Sequence, residues 1–221
     1  MTRLLVHVEG QTEETFVNVV LAPHLYNLGY KSVGARLLGN ARNRSRRGGI
    51  KSWDVVYSDV SRHLKEDTEC FATTMVDYYA LPNTWPGRNS VGNPSEKSVS
   101  IRTALSADFE TRSNIVGRFL PFVMMHEFEA LLFSDCSTFA HSLGFASKAP
   151  QLQEIRSQFE TPEHINDSPE TAPSKRVQAI INNYDKVLFG NIAASEIGLQ
   201  TICEQCPSFG AWIYSLELLA P

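Results

Sequence analysis

The chain has 221 residues, of which 43% are hydrophobic and 20% are charged, and its formal net charge is −4. These values are typical of a globular protein with a sizeable core and exclude a disordered or repetitive chain. No apolar run approaches the roughly 18 residues that cross a bilayer, and the first residues are too charged for a signal peptide. We therefore expect a cytoplasmic protein without a membrane segment.

Strand and helix patterns alternate over the first part of the chain. Leu4 to Val8 is a short apolar run, typical of a central strand covered on both faces. Gly10 turns this strand into a helix that Thr12 can cap and that Pro23 ends or kinks. Further strands are predicted over 33–37, 70–77 and 118–125, and further helices over 53–64 and 98–112.

This alternation predicts an α/β fold with a mainly parallel four-stranded sheet flanked by helices. Beyond residue 134 the strand pattern fades, and helical patterns cover 151–160, 174–185 and 208–219. The predicted organisation is an α/β domain over residues 1–135 and a helical carboxy-terminal extension over residues 136–221 packed on it.

Acidic residues stand where three of the predicted strands end. Glu9 follows the first strand, Asp77 ends the third, and Glu127 and Glu129 follow the fourth, while Glu13 lies one helical turn after Glu9. Because the carboxyl ends of parallel strands meet at one edge of a sheet, we expect these side chains to cluster. Oxygen ligands of this kind suit Mg²⁺ or Mn²⁺. Two such ions about 4 Å apart would support phosphodiester cleavage, which is the chemistry of a nuclease.

Each candidate also has an ordinary explanation. An acid in a first helical turn, such as Glu13, favourably opposes the helix dipole, and Asp77 is a common turn residue before a loop. Glu127 and Glu129 would share a side of an extended chain but point about 200° apart in a helix. Both cannot be ligands in a helix, and we favour Glu127. His126 fits a core histidine, a metal ligand, or a general acid or base.

Basic residues occur in two groups that could contact phosphate. The first group has no acid among its members and fits either an exposed loop or a nucleic-acid-binding arm. The second fits either a phosphate contact or an ordinary helix start on a solvated face. The first group is Arg42, Arg44, Arg46, Arg47 and Lys51, and the second is Lys175 and Arg176.

The segment Val-Glu-Gly-Gln-Thr-Glu at 8–13, with Asp77 ending the third strand, resembles the Toprim domain of topoisomerases, primases and OLD-type nucleases. Together with His-Glu-Phe-Glu-Ala-Leu-Leu-Phe at 126–133 and Ala-Pro-Ser-Lys-Arg at 172–176, it resembles the DUF4276 family of bacterial Toprim-like proteins over nearly the whole chain. The resemblance implies an Mg²⁺-binding acid cluster with Glu9 as the Toprim glutamate, Glu13 as the added OLD-like acid and Asp77 as the first acid of Asp-x-Asp. The second acid of that pair is Tyr79 here. Either one ion binds more weakly, or an acid from 127–129 replaces it.

We therefore expect a metal-dependent nuclease that cleaves DNA or RNA. The resemblance also implies a partner ATPase of the AAA or ABC type in an antiphage defence system, which would restrain the nuclease until infection. The alternative is a non-catalytic Toprim-like subunit that binds nucleic acid or a partner and regulates an ATPase, as the missing acid at Tyr79 suggests. The sequence does not indicate the substrate or the activating signal. The oligomeric state stays open, and a homo-oligomer is one possibility.

Overall fold

A parallel sheet lies at the centre of the protein. The computed structural model describes residues 2–39, 49, 51–165 and 171–221. The strands are β1 (Arg3–Val8), β2 (Ser32–Leu37), β3 (Cys70–Asp77), β4 (Phe119–Leu120) and β5 (Val123–Met124). Their order is β2-β1-β3-β4, β5 also pairs with β3, and every described pair is parallel. The predicted α/β class, with a mainly parallel sheet flanked by helices, is confirmed.

Helices separate most of the strands and follow the last one. The α-helices are α1 (Gln11–Phe16), α2 (Ala22–Asn27), α3 (Trp53–Glu66), α4 (Pro94–Ser113), α5 (Cys136–Ser142), α6 (Ala149–Arg156), α7 (Pro173–Ile180), α8 (Lys186–Ile197), α9 (Leu199–Gln205) and α10 (Pro207–Glu217). A π-helix spans Val17–Leu21, and 3₁₀ turns span Tyr78–Ala80, Phe128–Ser134, Ala146–Lys148 and Pro162–His164. Within the described ranges, none of these helices has the length and apolar character needed to cross a membrane.

The first helical segment differs from the sequence prediction at both ends. Gly10, not Thr12, is the N-cap, and Thr12 is buried inside α1. Pro23 does not end the helix, because a π-helix precedes it and α2 continues to Asn27. In the π-helix the Ala22 N–H bonds to the Val17 carbonyl, five residues back. This wider turn fits the start of α2 near a proline that has no N–H to donate.

The predicted fourth strand is broken into β4 and β5 at Pro121 and Phe122. A proline cannot donate a ladder hydrogen bond, and the side chain of Thr74 replaces the missing pairing. The Phe122 N–H donates to Thr74 Oγ1 at 3.0 Å, and Thr74 Oγ1 donates to the Phe122 carbonyl at 2.9 Å. The two short strands β4 and β5 therefore lie one after the other along β3.

The helix predicted over 98–112 begins earlier, because Asn93 and Glu96 form a capping box. The Glu96 N–H donates to Asn93 Oδ1 at 3.0 Å, and the Asn93 N–H donates to Glu96 Oε2 at 2.9 Å. The sequence Asn-Pro-Ser-Glu at 93–96 carries this start signal.

The carboxy-terminal helices pack directly on the sheet. The three predicted helices are present with shifted bounds, whereas α5, α8 and α9 were not predicted. Val6 of β1 and Trp212 of α10 belong to one hydrophobic cluster, and Trp212 stacks on Phe122 with ring centroids 4.4 Å apart. This hydrophobic core contains residues from both sides of residue 135. The domain boundary placed there stays a prediction.

A buried carboxylate fixes the start of the last helix. Glu163 accepts hydrogen bonds from the Ser208 N–H at 2.8 Å and the Phe209 N–H at 2.9 Å. Burial raises the pKa of Glu163, and these two bonds oppose the rise. Glu163 thus caps α10 from a distant segment of the chain.

We expect Glu163→Ala to lower the free energy of unfolding by about 2 kcal/mol, because it leaves two buried N–H groups without acceptors. Urea denaturation followed by circular dichroism measures this change. Glu160→Ala, which removes an exposed carboxylate nearby, is the control and should stay within about 0.5 kcal/mol of the parent protein. Equal stability of the two variants would contradict the capping role.

Candidate active site

Five carboxylates converge at the carboxyl edge of the sheet. Glu9 follows β1, Glu13 lies in the first turn of α1, Asp77 ends β3, and Glu127 and Glu129 follow β5. The Asp77 N–H donates to Glu9 Oε2 at 3.3 Å, and the Gly10 N–H donates to Glu13 Oε2 at 2.9 Å. The charges of the other four all act on Asp77. The structure therefore brings together every acid that the sequence analysis singled out.

The main-chain geometry of Gly10 serves this arrangement. Gly10 is extended, and a Cβ at this position would lie 3.1 Å from Glu13 Oε2. A side chain here would crowd the carboxylate that bonds to the Gly10 N–H. The glycine between strand and helix therefore keeps Glu13 folded back toward the end of β1.

Burial and mutual repulsion make these acids hard to ionise. Burial is the largest cause of the raised pKa of Glu9, Glu13 and Glu129. The pKa of Asp77 lies well above its ordinary value, first because of burial and then because of the charges of Glu13 and Glu9. Acids with a raised pKa bind protons more tightly when folded, so their contribution to stability is largest at acid pH and falls as the pH rises through those values. These five carboxylates form one corner of the fold, and at neutral pH this corner needs positive charge.

Lys186, the first residue of α8, provides part of that charge. Its Nζ lies 3.3 Å from Oε2 of the buried Glu129. Burial alone would lower the pKa of Lys186, but Glu129, Glu127 and Asp77 raise it. The sequence analysis missed this residue, because α8 carries no apolar face at helical spacing that would have placed it.

The position of α8 depends on its contact with α1. Asn191 is buried, and its Nδ2 donates to the Thr12 carbonyl at 3.2 Å and to the Val187 carbonyl at 2.8 Å. Gly190 allows close packing, since a Cβ there would lie 3.1 Å from the Tyr184 hydroxyl and 3.4 Å from the Phe128 ring. The helix that carries Lys186 is thereby tied to the helix that carries Glu13.

Glu127 and Glu129 adopt neither of the two arrangements considered for the sequence. The backbone of Glu127 is extended, and Glu129 lies near the start of the 3₁₀ segment Phe128–Ser134 that follows. The charges of both residues raise the pKa of Asp77. Glu127 Oε2 also accepts the Ser174 N–H at 3.1 Å, so this acid holds the start of α7 as well.

His126 and Tyr79 lie against each other at the same edge. Their ring centroids are 5.3 Å apart, and the Tyr78 ring lies 5.8 Å from His126. Both His126 and Tyr79 line a pocket next to the acids. Tyr79 therefore contributes a ring to this pocket. The catalytic role of His126 stays a prediction.

The donor set fits a hard divalent cation. It consists of carboxylate oxygens, and within the described ranges no hydrogen-bond donor reaches the buried Oδ1 of Asp77 or Oε1 of Glu129. Glu9, Asp77 and Glu127 are partly exposed, so the corner opens to solvent. As the side chains stand, no three His, Cys, Asp or Glu residues of the described ranges are spaced to hold an ion. Coordination would therefore require these side chains to rotate.

The predicted phosphate-binding residues are only partly described. Arg42, Arg44, Arg46 and Arg47 lie outside the described residues. Lys51 precedes α3, and its carbonyl accepts the Trp85 indole N–H at 2.9 Å.

Lys175 and Arg176 lie in the first turn of α7, beside the capping acid Glu127. Lys175 is exposed. The Arg176 guanidinium donates to the Thr171 carbonyl at 2.8 Å and lies 5.2 Å from the centre of the Phe159 ring.

The family model described as "Domain of unknown function (DUF4276)" matches residues 8–217. The chain belongs to the DUF4276 family. The matched region includes all five carboxylates and Lys186, so the whole corner lies within the family domain. No curated protein and no solved structure matches the chain.

The pair of Lys186 and Glu129 can be tested by a double-mutant cycle. We expect Lys186→Met to lower the free energy of unfolding at pH 7.5, because it leaves Glu129 buried without its counterion. The expected loss is about 2 kcal/mol, below the roughly 3–5 kcal/mol of a fully buried pair, since the lysine side chain is 41% exposed. Urea denaturation measures the change, and Lys175→Met, on an exposed lysine, is the control.

Combining Lys186→Met with Glu129→Gln should destabilise by less than the sum of the single changes, with a coupling of about 1 kcal/mol or more. Additive effects would show that the lysine does not balance this carboxylate.

Proposed function

We propose that this DUF4276 protein is a Mg²⁺- or Mn²⁺-dependent nuclease that cleaves phosphodiester bonds in DNA or RNA. The observation that carries the proposal is the gathering of Glu9, Glu13, Asp77, Glu127 and Glu129 at the carboxyl edge of a parallel sheet. Parallel α/β sheets bind ligands at this edge. Buried carboxylates with raised pKa values are costly to maintain, and a functional site is the usual reason for keeping them.

Each residue of the corner has its own proposed role. Glu9, Asp77 and one acid of 127–129 would hold a divalent cation, with Glu13 beside them. The bound metal would activate a water and stabilise the charge that develops on the scissile phosphate. The Lys186 ammonium would partly neutralise the acids, so that a phosphate can approach them. The partly exposed side of the corner would admit the nucleic-acid backbone.

A Toprim-like assignment of the site is part of this proposal. The acids stand in the order of the Toprim pattern, at the ends of β1 and β3, which are neighbours in the sheet. The second acid of that pattern is replaced by Tyr79, whose ring packs on His126. The acids of 127–129 are close enough to act electrostatically on Asp77 and would make up for the missing carboxylate.

We also propose which residues contact the nucleic acid and what kind of partner regulates the protein. A chain with a net charge of −4 needs local basic groups to approach phosphate, and the arginines of 42–47, with Lys51, Lys175 and Arg176, are the candidates. A partner ATPase of the AAA or ABC type and a role in antiphage defence are proposed on the family resemblance. The proposed location is the cytoplasm.

A second candidate function is a non-catalytic, Toprim-like subunit that binds nucleic acid or a partner and regulates an ATPase. Two observations favour it. Tyr79 stands where the Toprim resemblance implies an acid, and Lys186 already provides a positive charge to Glu129. A site of this kind could keep its shape without a metal ion.

A nuclease assay with Mg²⁺ or Mn²⁺ on single- and double-stranded DNA and RNA separates the two functions. We expect cleavage that EDTA abolishes. Glu9→Gln and Asp77→Asn should each lower the rate at least about 100-fold, since changes to mere outer-shell partners of a metal already cost roughly 10–100-fold. Glu14→Gln is the matched control, because Glu14 lies in the same helical turn as Glu13 but is partly exposed, and it should retain the parent rate.

Undiminished cleavage by both site variants would refute the site. The regulatory function would be favoured by the absence of cleavage with Mn²⁺ and the ATPase present, if nucleic-acid binding is retained and is lost on changing Arg44, Arg46 and Arg47 to Ala.

A further inference from the structure

The pocket lined by His126 and Tyr79 opens beside the acid cluster. It has a volume of about 610 Å³ and lies beyond the ends of β3 and β5. Tyr79 on its wall is two residues after Asp77, and His126 immediately precedes Glu127. Since successive Cα atoms are about 3.8 Å apart, the pocket wall lies within roughly 8 Å of the acid-bearing backbone. One nucleotide could span that distance.

The wall of this pocket offers aromatic surface. Tyr79 and Phe159 contribute rings that are only partly buried, and Tyr78 lies against His126. Partly exposed rings of this kind provide stacking platforms for bases, which every base can use because each has a flat π-face. The volume falls within the range of roughly 300–1,000 Å³ that is typical of small-ligand sites.

Positive charge surrounds these rings. The Arg88 guanidinium lies 4.0 Å from the centre of the Tyr78 ring, and Lys97 Nζ lies 5.9 Å from it. Arg176 covers the Phe159 ring at 5.2 Å. Within the described ranges, none of these three cations has a carboxylate within ion-pair distance. Lys97 lines the pocket, and Arg88 and Arg176 lie on two rings of its wall. In a chain of net negative charge, three such cations without acidic partners among the described residues favour an anionic ligand.

The pocket also contains groups that can recognise the edge of a base. Gln158 and Asn93 carry amides, and His164 has a buried Nε2 that bonds to no group of the described residues. His164 Nδ1 lies 3.8 Å from Oε2 of the exposed Glu160, whose carboxylate also lines the pocket. A carboxylate can accept a hydrogen bond from the amino group of a base.

We propose that this pocket binds one unstacked nucleotide of a single-stranded nucleic acid, next to the phosphate presented to the acid cluster. The aromatic rings would stack on the base, and the cations would contact its phosphates. Bases inside a duplex are stacked on their neighbours, so a pocket of this shape selects single strands, loops or extruded nucleotides. The inference rests on the proposed nuclease function, for which it names the substrate class.

The test measures binding without cleavage. Fluorescence anisotropy in EDTA compares a labelled single-stranded 15-mer of DNA or RNA with the blunt duplex of the same sequence. We expect the single strand to bind more tightly. Tyr79→Ala and Phe159→Ala should each weaken its binding about tenfold, because each removes one stacking ring. Tyr79→Phe and Phe159→Tyr should retain it.

Tyr57→Ala is the matched control, since Tyr57 also stacks with an arginine, Arg112, but does not line the pocket. Circular dichroism at the assay temperature verifies that every variant is folded. Equal affinity of all variants for the single strand, tighter binding of the duplex, or no binding of either would overturn the inference.

Failure of the nuclease proposal alone gives a different result: single strands still bind and Tyr79→Ala still weakens the binding, but no nucleic acid is cleaved in Mg²⁺ or Mn²⁺. Glu9→Gln and Asp77→Asn should abolish cleavage in Mg²⁺ without weakening single-strand binding in EDTA, because each removes a negative charge and no stacking ring. Cleavage of duplex and single strand alike, with pocket variants indistinguishable from the parent, would preserve the nuclease and remove the pocket from it.

Discussion

Repulsion among buried and half-buried carboxylates is the constraint on which the rest of this structure depends. Glu9, Glu13, Asp77 and Glu129 each have a raised pKa because the fold takes them out of water and places them together. Folding alone gains nothing from such a group, since apolar side chains of similar volume would pack there without opposing charges. The backbone N–H groups of Gly10 and Asp77 and the ammonium of Lys186 are the means by which the chain tolerates it.

The architecture explains how residues far apart in sequence reach this corner. Parallel pairing of β1 with β3, and of β3 with β5, directs three strand ends toward one edge. The helical carboxy-terminal part then closes the corner from the other side, because α8 brings Lys186 and α7 rests its first turn on Glu127. The buried contact of Asn191 with the Thr12 carbonyl holds α8 against α1, and Glu163 holds the start of α10.

The acids could be predicted from the sequence because Glu9, Asp77, Glu127 and Glu129 stand at or soon after the ends of strands, and Glu13 lies in the helical turn after Glu9. Short apolar runs reveal such strands well. Lys186 could not, because α8 is apolar on several sides and contains Gly190, so no periodic face marks it as a helix. The break at Pro121 depends on the side chain of a distant residue, Thr74, which no local pattern reveals. The continuation of the first helix past Pro23 likewise depends on a π-helical turn that the sequence did not indicate. The pocket beside His126 joins residues from four separate segments, so only the fold could assemble it.

The most direct test of the central claim is anomalous diffraction from a crystal of the protein soaked in Mn²⁺. The account predicts a manganese peak in contact with carboxylate oxygens of Glu9 and Asp77 and of Glu127 or Glu129, with the side chains rotated from their present positions. A crystal that contains Mn²⁺ at millimolar concentration, keeps the Lys186 to Glu129 pair intact and shows no peak at these carboxylates would contradict it.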